Sequence, residues 1–190
     1  MNRPLIRPLI RPFHSRVARA RWRQALVCAA LGAVSLLTRP ALAQVPTEVT
    51  FVGAPQSPIS GNVAVPANRT WLWISGTVPS MANPQAADGS RERWGDTQAQ
   101  ARSILKNLEG QLAAKGLSLK HVVYLRVYIA PDKFKNGQFD FPGWFAAYAE
   151  FFGTAANPTK TARSTIGVAQ LVSPDWLIEI EAFAVYPTSN

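Results

Sequence analysis

Four residues near the C-terminus have types and spacings that can do chemistry. Glu179 and Glu181 are two apart in an alternating run, so both project to one face of a strand while Ile178, Ile180, Ala182 and Ala184 take the other. Upstream, Arg163 and Thr165 share a face in the same way, with Ser164, Ile166 and Val168 opposite. If the two strands lie close in compatible registers, a guanidinium and one or two carboxylates meet on a common surface. Arginine suits a small carboxylate because its planar fork makes two parallel hydrogen bonds and stays charged at any relevant pH. A partly buried Glu beside it can orient a water, and where desolvation outweighs the cation its pKa rises and it can pass protons. The same residues also suit a structural salt bridge across a half-exposed sheet. Spacing does not choose between bridge and site.

Other chemistries lack their residues. Cys28 is the single thiol and lies in the N-terminal leader, so the remainder has neither a disulfide framework nor a thiol nucleophile. Beyond the leader, His121 is the only imidazole, and its neighbours Val122 and Val123 read as strand. A His-rich zinc site or a Ser-His-Asp triad cannot be built on one such residue, so no metal site is expected. His121 reads as structural or surface.

The elements that must position these residues follow from patterning. Thr70 to Ser75 is aromatic and β-branched and ends at Gly76, a strand; Trp71 and Trp73 share one of its faces, for packing beneath a helix or at a subunit contact. Val78 to Gly95 is rich in breakers and reads as loop. Asp96 or Thr97 then caps a helix, Thr97 with Gln100 fitting the capping box, and Ala101, Ile104, Leu105, Leu108 and Leu112 recur at helical spacing until Gly116. Val123, Leu125, Val127 and Ile129 alternate with Val122, Tyr124, Arg126 and Tyr128, a strand closed by Pro131. Phe139 to Phe152 is a second amphipathic helix whose aromatic stripe, with Trp144, Phe145 and Tyr148, reads as core or subunit contact before ligand platform. Strands over Ala162 to Leu171 and Leu177 to Val185 complete an α+β sheet with both helices on one face; Val49 to Val52 is a further short strand.

The charge is concentrated ahead of this domain. Eight of the 20 basic residues and none of the 11 acids precede Gln44, leaving 12 against 11, a net charge of +1 for residues 44 to 190. The pI near 10.3 therefore belongs to the leader and gives no reason to expect nucleic acid as a partner. Residues 1 to 43 combine an Arg- and Pro-rich start, the apolar run Ala25 to Leu37, and small residues at Ala41 and Ala43, the pattern of a secretory signal peptide. Thirteen apolar residues span about 20 Å as a helix, short of a hydrocarbon core of roughly 30 Å, so no stable membrane anchor is expected. The protein is expected outside the cytoplasm, secreted or periplasmic, as one domain over 44 to 190.

Several segments together resemble one family. Ile74-Ser75-Gly76 with Val78-Pro79, the helix from Asp96 to Arg102 running to Asn107-Leu108, the strand over Val123 to Ile129, Tyr148 to Phe152 with Gly153, and above all Ala162-Arg163-Ser164-Thr165 and Ile178-Glu179-Ile180-Glu181-Ala182 look like the RidA (YjgF) family, over about Gly53 to Val185. The resemblance implies a chorismate-mutase-like α+β subunit, a mixed sheet with two helices on one face, in a barrel-like homotrimer with clefts between subunits. It implies hydrolysis of reactive 2-imino or enamine acids to 2-oxo acids and ammonia without metal or cofactor. By position, Arg163 matches the arginine that binds the substrate carboxylate, Thr165 a position whose backbone faces the substrate, Glu179 the acid that orients water, and Ser75 a serine lining the cleft. Two lining positions depart from the pattern: the family's Tyr falls at Ile59 and its Asn at Phe145, both making the cleft less polar. The segments Ser80 to Trp94 and Lys133 to Phe139 are longer than in short members and can reshape the mouth.

Two other readings stand beside the deaminase: a non-catalytic trimeric module that holds a small carboxylate on Arg163, and a ribonuclease, an older description used for this family that the near-neutral charge disfavours. The leader reading has its own check. Intact mass of the protein recovered from exporting cells is expected to correspond to a chain starting at Gln44; full-length protein retained in the cytoplasm contradicts it.

Overall fold

A computed structural model describes residues 45–188; the signal-peptide reading of residues 1–43 lies outside the described residues. A short hairpin opens the chain, β1 (Thr50–Val52) on β2 (Asn62–Ala64), followed by β3 (Trp71–Thr77). A one-turn helix α1 (Arg91–Trp94) leads into the long helix α2 (Thr97–Ala113), and β4 (Val122–Ile129) follows. A second small hairpin, β5 (Pro131–Asp132) on β6 (Gln138–Phe139), precedes α3 (Phe141–Phe151), β7 (Ala162–Gly167) and β8 (Ile178–Val185).

The four long strands form one mixed sheet in the order β3-β8-β4-β7. The last strand, β8, inserts antiparallel between β3 and β4, while β7 joins β4 in parallel. Parallel strands need a crossover: α3 supplies it between the neighbours β4 and β7, and α2 between β3 and β4, which flank β8. Both helices therefore lie on one face, as their apolar stripes require. Ala101, Ile104, Leu105, Leu108 and Leu112 of α2 and Trp144 and Ala147 of α3 are fully buried with Leu125, Val127, Ile129, Ile178, Ile180, Ala182 and Ala184 of the sheet. The α+β architecture read from the sequence is the one observed.

Local differences have identifiable causes. The cap of α2 is Asp96, which accepts from the Ala99 amide at 2.8 Å, and the capping box of Thr97 with Gln100 does not form. Gln100 is drawn away to buried backbone: its Nε2 donates to the Asp175 carbonyl (2.9 Å) and its Oε1 accepts from the Leu177 amide (2.7 Å). Strand β3 continues through Gly76 to Thr77, with a bulge between Ile74 and Thr77. The register also shifts between Val122 and Tyr124, so Val122 and Val123 are both buried despite the alternating pattern. The loop from Val78 contains α1, and β7 stops at Gly167, short of Leu171. The segment Lys133 to Phe139 is a built hairpin: Arg91 donates from Nη2 to both oxygens of the fully buried Asp132 at 2.6 Å, tying it to α1. His121 is structural, its Nδ1 accepting from the Ser118 amide at 3.0 Å in the turn before β4. No helix among the described residues is long and apolar enough to cross a membrane.

Replacing Gln100 by Ala strands the buried Leu177 amide. Gln100→Ala is expected to lower unfolding stability by about 1–3 kcal/mol in urea melts; an unchanged midpoint contradicts the role given to this side chain.

Candidate functional site

The strand register decides which candidate residues meet. Across β4, Leu125 pairs with Arg163 and with Ala182, and Val127 with Thr165 and Ile180; these six lie on the helix-covered face. Arg126 pairs with Ser164 and Glu181, and Tyr128 with Ile166 and Glu179, on the open face. Arg163 and Glu179 therefore project from opposite faces of the sheet. The common surface that spacing allowed for does not form within one chain, because β4 separates β7 from β8 and its register puts the two parities on different sides.

On the covered face, α3 roofs Arg163. The guanidinium carbon sits 4.3 Å from the Tyr148 ring centroid, 4.8 Å from Phe145 and 5.4 Å from Trp144. Cation–π contacts offset part of the cost of burying a charge. Yet Nη1 of Arg163 is closed off from solvent without a hydrogen-bond partner, and no carboxylate among the described residues pairs with this side chain. Burial pulls its pKa below the usual arginine value, with Tyr148 opposing; a guanidinium starts so high that it stays charged. Thr165, one pleat on, is held by the Trp144 indole, whose Nε1 donates to Thr165 Oγ1 at 3.2 Å. Tyr148 is fixed in turn by the Thr161 amide, which donates to its hydroxyl at 3.1 Å. Burial pushes that phenol up from its usual range.

On the open face the two acids differ. Glu181 accepts from Arg126 Nη1 at 2.9 Å and from the Tyr128 hydroxyl at 3.0 Å, a structural ion pair. Glu179 has no such partner among the described residues. Desolvation first, and the charge of Glu181 second, raise its pKa above the ordinary glutamate value. Its carboxylate lies over the β3 bulge in the space left by Gly76, where a Cβ would displace it. Ser75 is exposed beside it, on a groove shared with Gly76, Lys106 and Gln111. Trp71 and Trp73 project from this open face rather than beneath a helix; Trp73 is 73% exposed and packs edge-on against Phe183 at 5.0 Å.

One chain thus holds two half-sites. Arg163, Thr165 and Phe145 come together under α3, and Glu179 lies against Gly76, the residue that follows Ser75 at the bulge. Ile59 joins neither: it lies in a separate groove with Phe51, Pro158 and Lys160, where the Ser60 amide donates to the Thr161 carbonyl just ahead of β7. The residues that cradle Arg163, Trp144 and Tyr148, were legible only as a buried stripe. Their i, i+4 spacing with Phe145 between them, opposite a strand carrying a lone arginine, was the available signal.

A mixed sheet built on two parallel crossovers, with both helices on one face and an unpaired cation on its edge strand, is a chorismate-mutase-like α+β domain. Residues 54–186 match the family model described as endoribonuclease L-PSP. A RutC family protein of Pyrococcus horikoshii is 34% identical over 137 residues, which cover 72% of this chain and 96% of the relative. The mitochondrial protein MMF1 of Saccharomyces cerevisiae is 30% identical, over 79% of this chain and 93% of its own. A crystal structure of a conserved Rid family protein of unknown function from Yersinia pestis superposes with a TM-score of 0.55 at 28% identity, covering 73% of this chain and 99% of that one. The chain belongs to the RidA/YjgF family.

The cradle around Arg163 separates a salt bridge from a ligand site by stability. Removing a paired charge destabilises, whereas removing an unpaired, half-buried one relieves desolvation. Arg163→Met is therefore expected to leave the melting temperature unchanged or raise it; a clear loss of stability points to a structural bridge instead.

Proposed function

We propose that this protein hydrolyses reactive 2-imino or enamine acids to 2-oxo acids and ammonia. The observation that carries the reading is the Arg163 guanidinium, roofed by three rings with Nη1 unpartnered, which suits the carboxylate of a small acid. Family membership supports the reaction class. In the reaction, water adds to the imine carbon, a proton passes to nitrogen, and the carbinolamine breaks its C–N bond to release ammonia and leave the 2-oxo acid. Arg163 holds the carboxylate and orients the carbon. Glu179, whose raised pKa suits proton exchange with the attacking water, is the proton acceptor. Because these two residues face away from each other in one chain, the reading requires a site made between copies, Arg163 of one protomer facing Glu179 of the next in a homotrimer. Thr165 offers its backbone, and Ser75 lines the Glu179 side. The signal-peptide pattern of residues 1–43 supports an activity outside the cytoplasm, where amino-acid oxidation is a source of imines.

A second reading has its own support. Ile59 and Phe145 are apolar, and a single protomer leaves Arg163 without a proton acceptor on its face; both features fit a carboxylate-binding module without catalysis. A ribonuclease, the activity in the family model's description, fits poorly with a net charge of +1 over residues 44 to 190.

An amino-acid oxidase supplying imino acid, with loss of the imine followed by absorbance, distinguishes these readings. Acceleration over spontaneous decay is expected. It should fall about 100- to 10,000-fold in Glu179→Gln, with 2-oxo acid affinity kept. Arg163→Ala should weaken that affinity by roughly 1.5–3 kcal/mol, about one to two decades. The wild-type rate is expected to drop with acidification at a pH above the ordinary glutamate range, since Glu179 must be deprotonated to act and its pKa is raised. Saturable binding without acceleration identifies the module.

A further inference from the structure

The cradle of Arg163 opens onto an aromatic row that the proposed reaction does not use. Phe145, 4.8 Å from the guanidinium, stacks on Phe141 at 6.5 Å with ring planes 28° apart, and Phe141 meets Phe139 at 5.8 Å. Phe145 and Phe139 at the two ends are 44% and 41% exposed, while Phe141 between them packs against the core. The row runs above β7, because Phe139 rests on Gly167, which lies on the same strand face as Arg163 and Thr165: a Cβ there would stand 3.1 Å from the ring. A side chain there would push the ring outward by a small displacement.

The outer end of the row is built. Phe139 pairs with Pro131 in the β5–β6 hairpin, whose Asp132 is gripped by Arg91, and Lys135 Nζ bonds the Asp140 carboxylate at 2.6 Å just beyond. A charged head group at one end and two half-exposed rings, Phe145 and Phe139, bridged by the partly buried Phe141, make an amphiphilic surface. Its chemistry matches an acid whose carboxylate is joined through a short chain to an apolar body. A two-carbon stub such as that of pyruvate reaches Arg163 and leaves the rings beyond Phe145 unused.

We propose that the protein selects 2-imino and 2-oxo acids with aromatic or bulky apolar side chains, and that Phe139 is the residue which sets this preference. The inference rests on the carboxylate reading of Arg163. Desolvating ring surface against an aromatic side chain adds affinity that a methyl group cannot. Phe139 touches the substrate body, not the reacting atoms, so its loss should change discrimination and leave the head-group contact intact.

Calorimetric titration of the purified protein with phenylpyruvate and with pyruvate tests this. Phenylpyruvate is expected to bind at least about tenfold tighter. Phe139→Ala should erase most of that difference while leaving pyruvate affinity within about twofold, and Phe139→Leu should keep an intermediate preference. Equal affinities for the two acids in the wild type, or a preference untouched by both substitutions, overturns the inference while the carboxylate site stands. If neither acid binds, the reading of Arg163 itself fails. A change of assembled mass in Phe139→Ala with both affinities intact makes the row a subunit contact, which also overturns it.

Discussion

A guanidinium half-buried beneath three aromatic rings, with no acid beside it, is the constraint around which the rest of this domain is arranged. Removing a cation from water is costly, and proteins normally offset that cost with a carboxylate. Here the offset comes from the faces of Trp144, Phe145 and Tyr148, which attract the charge through their quadrupoles without neutralising it. The positive charge is held in place yet stays available to an anion, and one of its donors is dry and unsatisfied. A fully satisfied arginine has its donors matched; this one keeps an unmatched donor next to the strand edge. The rings above it are themselves anchored. Trp144 is tethered to Thr165 and Tyr148 to Thr161, so the rings stay put when no ligand is present.

The topology fixes where that cation stands. With β8 inserted between β3 and β4, β7 is left as an edge strand, and α3, the crossover that delivers it, must lie directly above. An edge strand is the place where a side chain on the covered face can be roofed by a helix and still open sideways to solvent. The same residue on β4 or β8 would be sealed in the core with Leu125 or Ala182. The β5–β6 hairpin extends the roof beyond the start of α3, so the cation borders an aromatic wall on one side and the strand edge on the other.

Much of this was legible in the chain. Both long helices follow from apolar residues at three- and four-residue spacing, and the strands from alternation; the resemblance carried by the segments around Arg163 and Glu179 named the family that the comparisons show. What the sequence did not reveal is of one kind. Gln100 fits a capping box by local spacing, yet the buried Leu177 amide 77 residues away competes for it and wins. Val122 belongs to the exposed parity by alternation, yet a bulge turns it inward. The aromatic stripe of α3 reads as core or subunit contact, and Trp144 and Tyr148 are core while Phe145 is 44% exposed, but the charge beneath the stripe depends on which strand the crossover delivers. In each case the deciding partner is distant along the chain, and local periodicity carries no information about it.

The relation of Arg163 to the acids of β8 follows from the same parity and has a definite consequence. Through β4, the β8 positions that share the face of Arg163 are Ile178, Ile180, Ala182 and Ala184, and all four are fully buried beneath the helices. A carboxylate placed at any of them would have to be desolvated in the core, far costlier than leaving the arginine alone. Acids on β8 are therefore confined to the open face, where Glu181 is engaged by Arg126 and Tyr128 and Glu179 is not. No small repacking of one protomer brings Glu179 to Arg163, since a one-residue slip of β8 would expose its whole apolar set. Any chemistry that uses both groups must draw them from different copies of the chain, and a protomer on its own offers only a cation that can hold an acid.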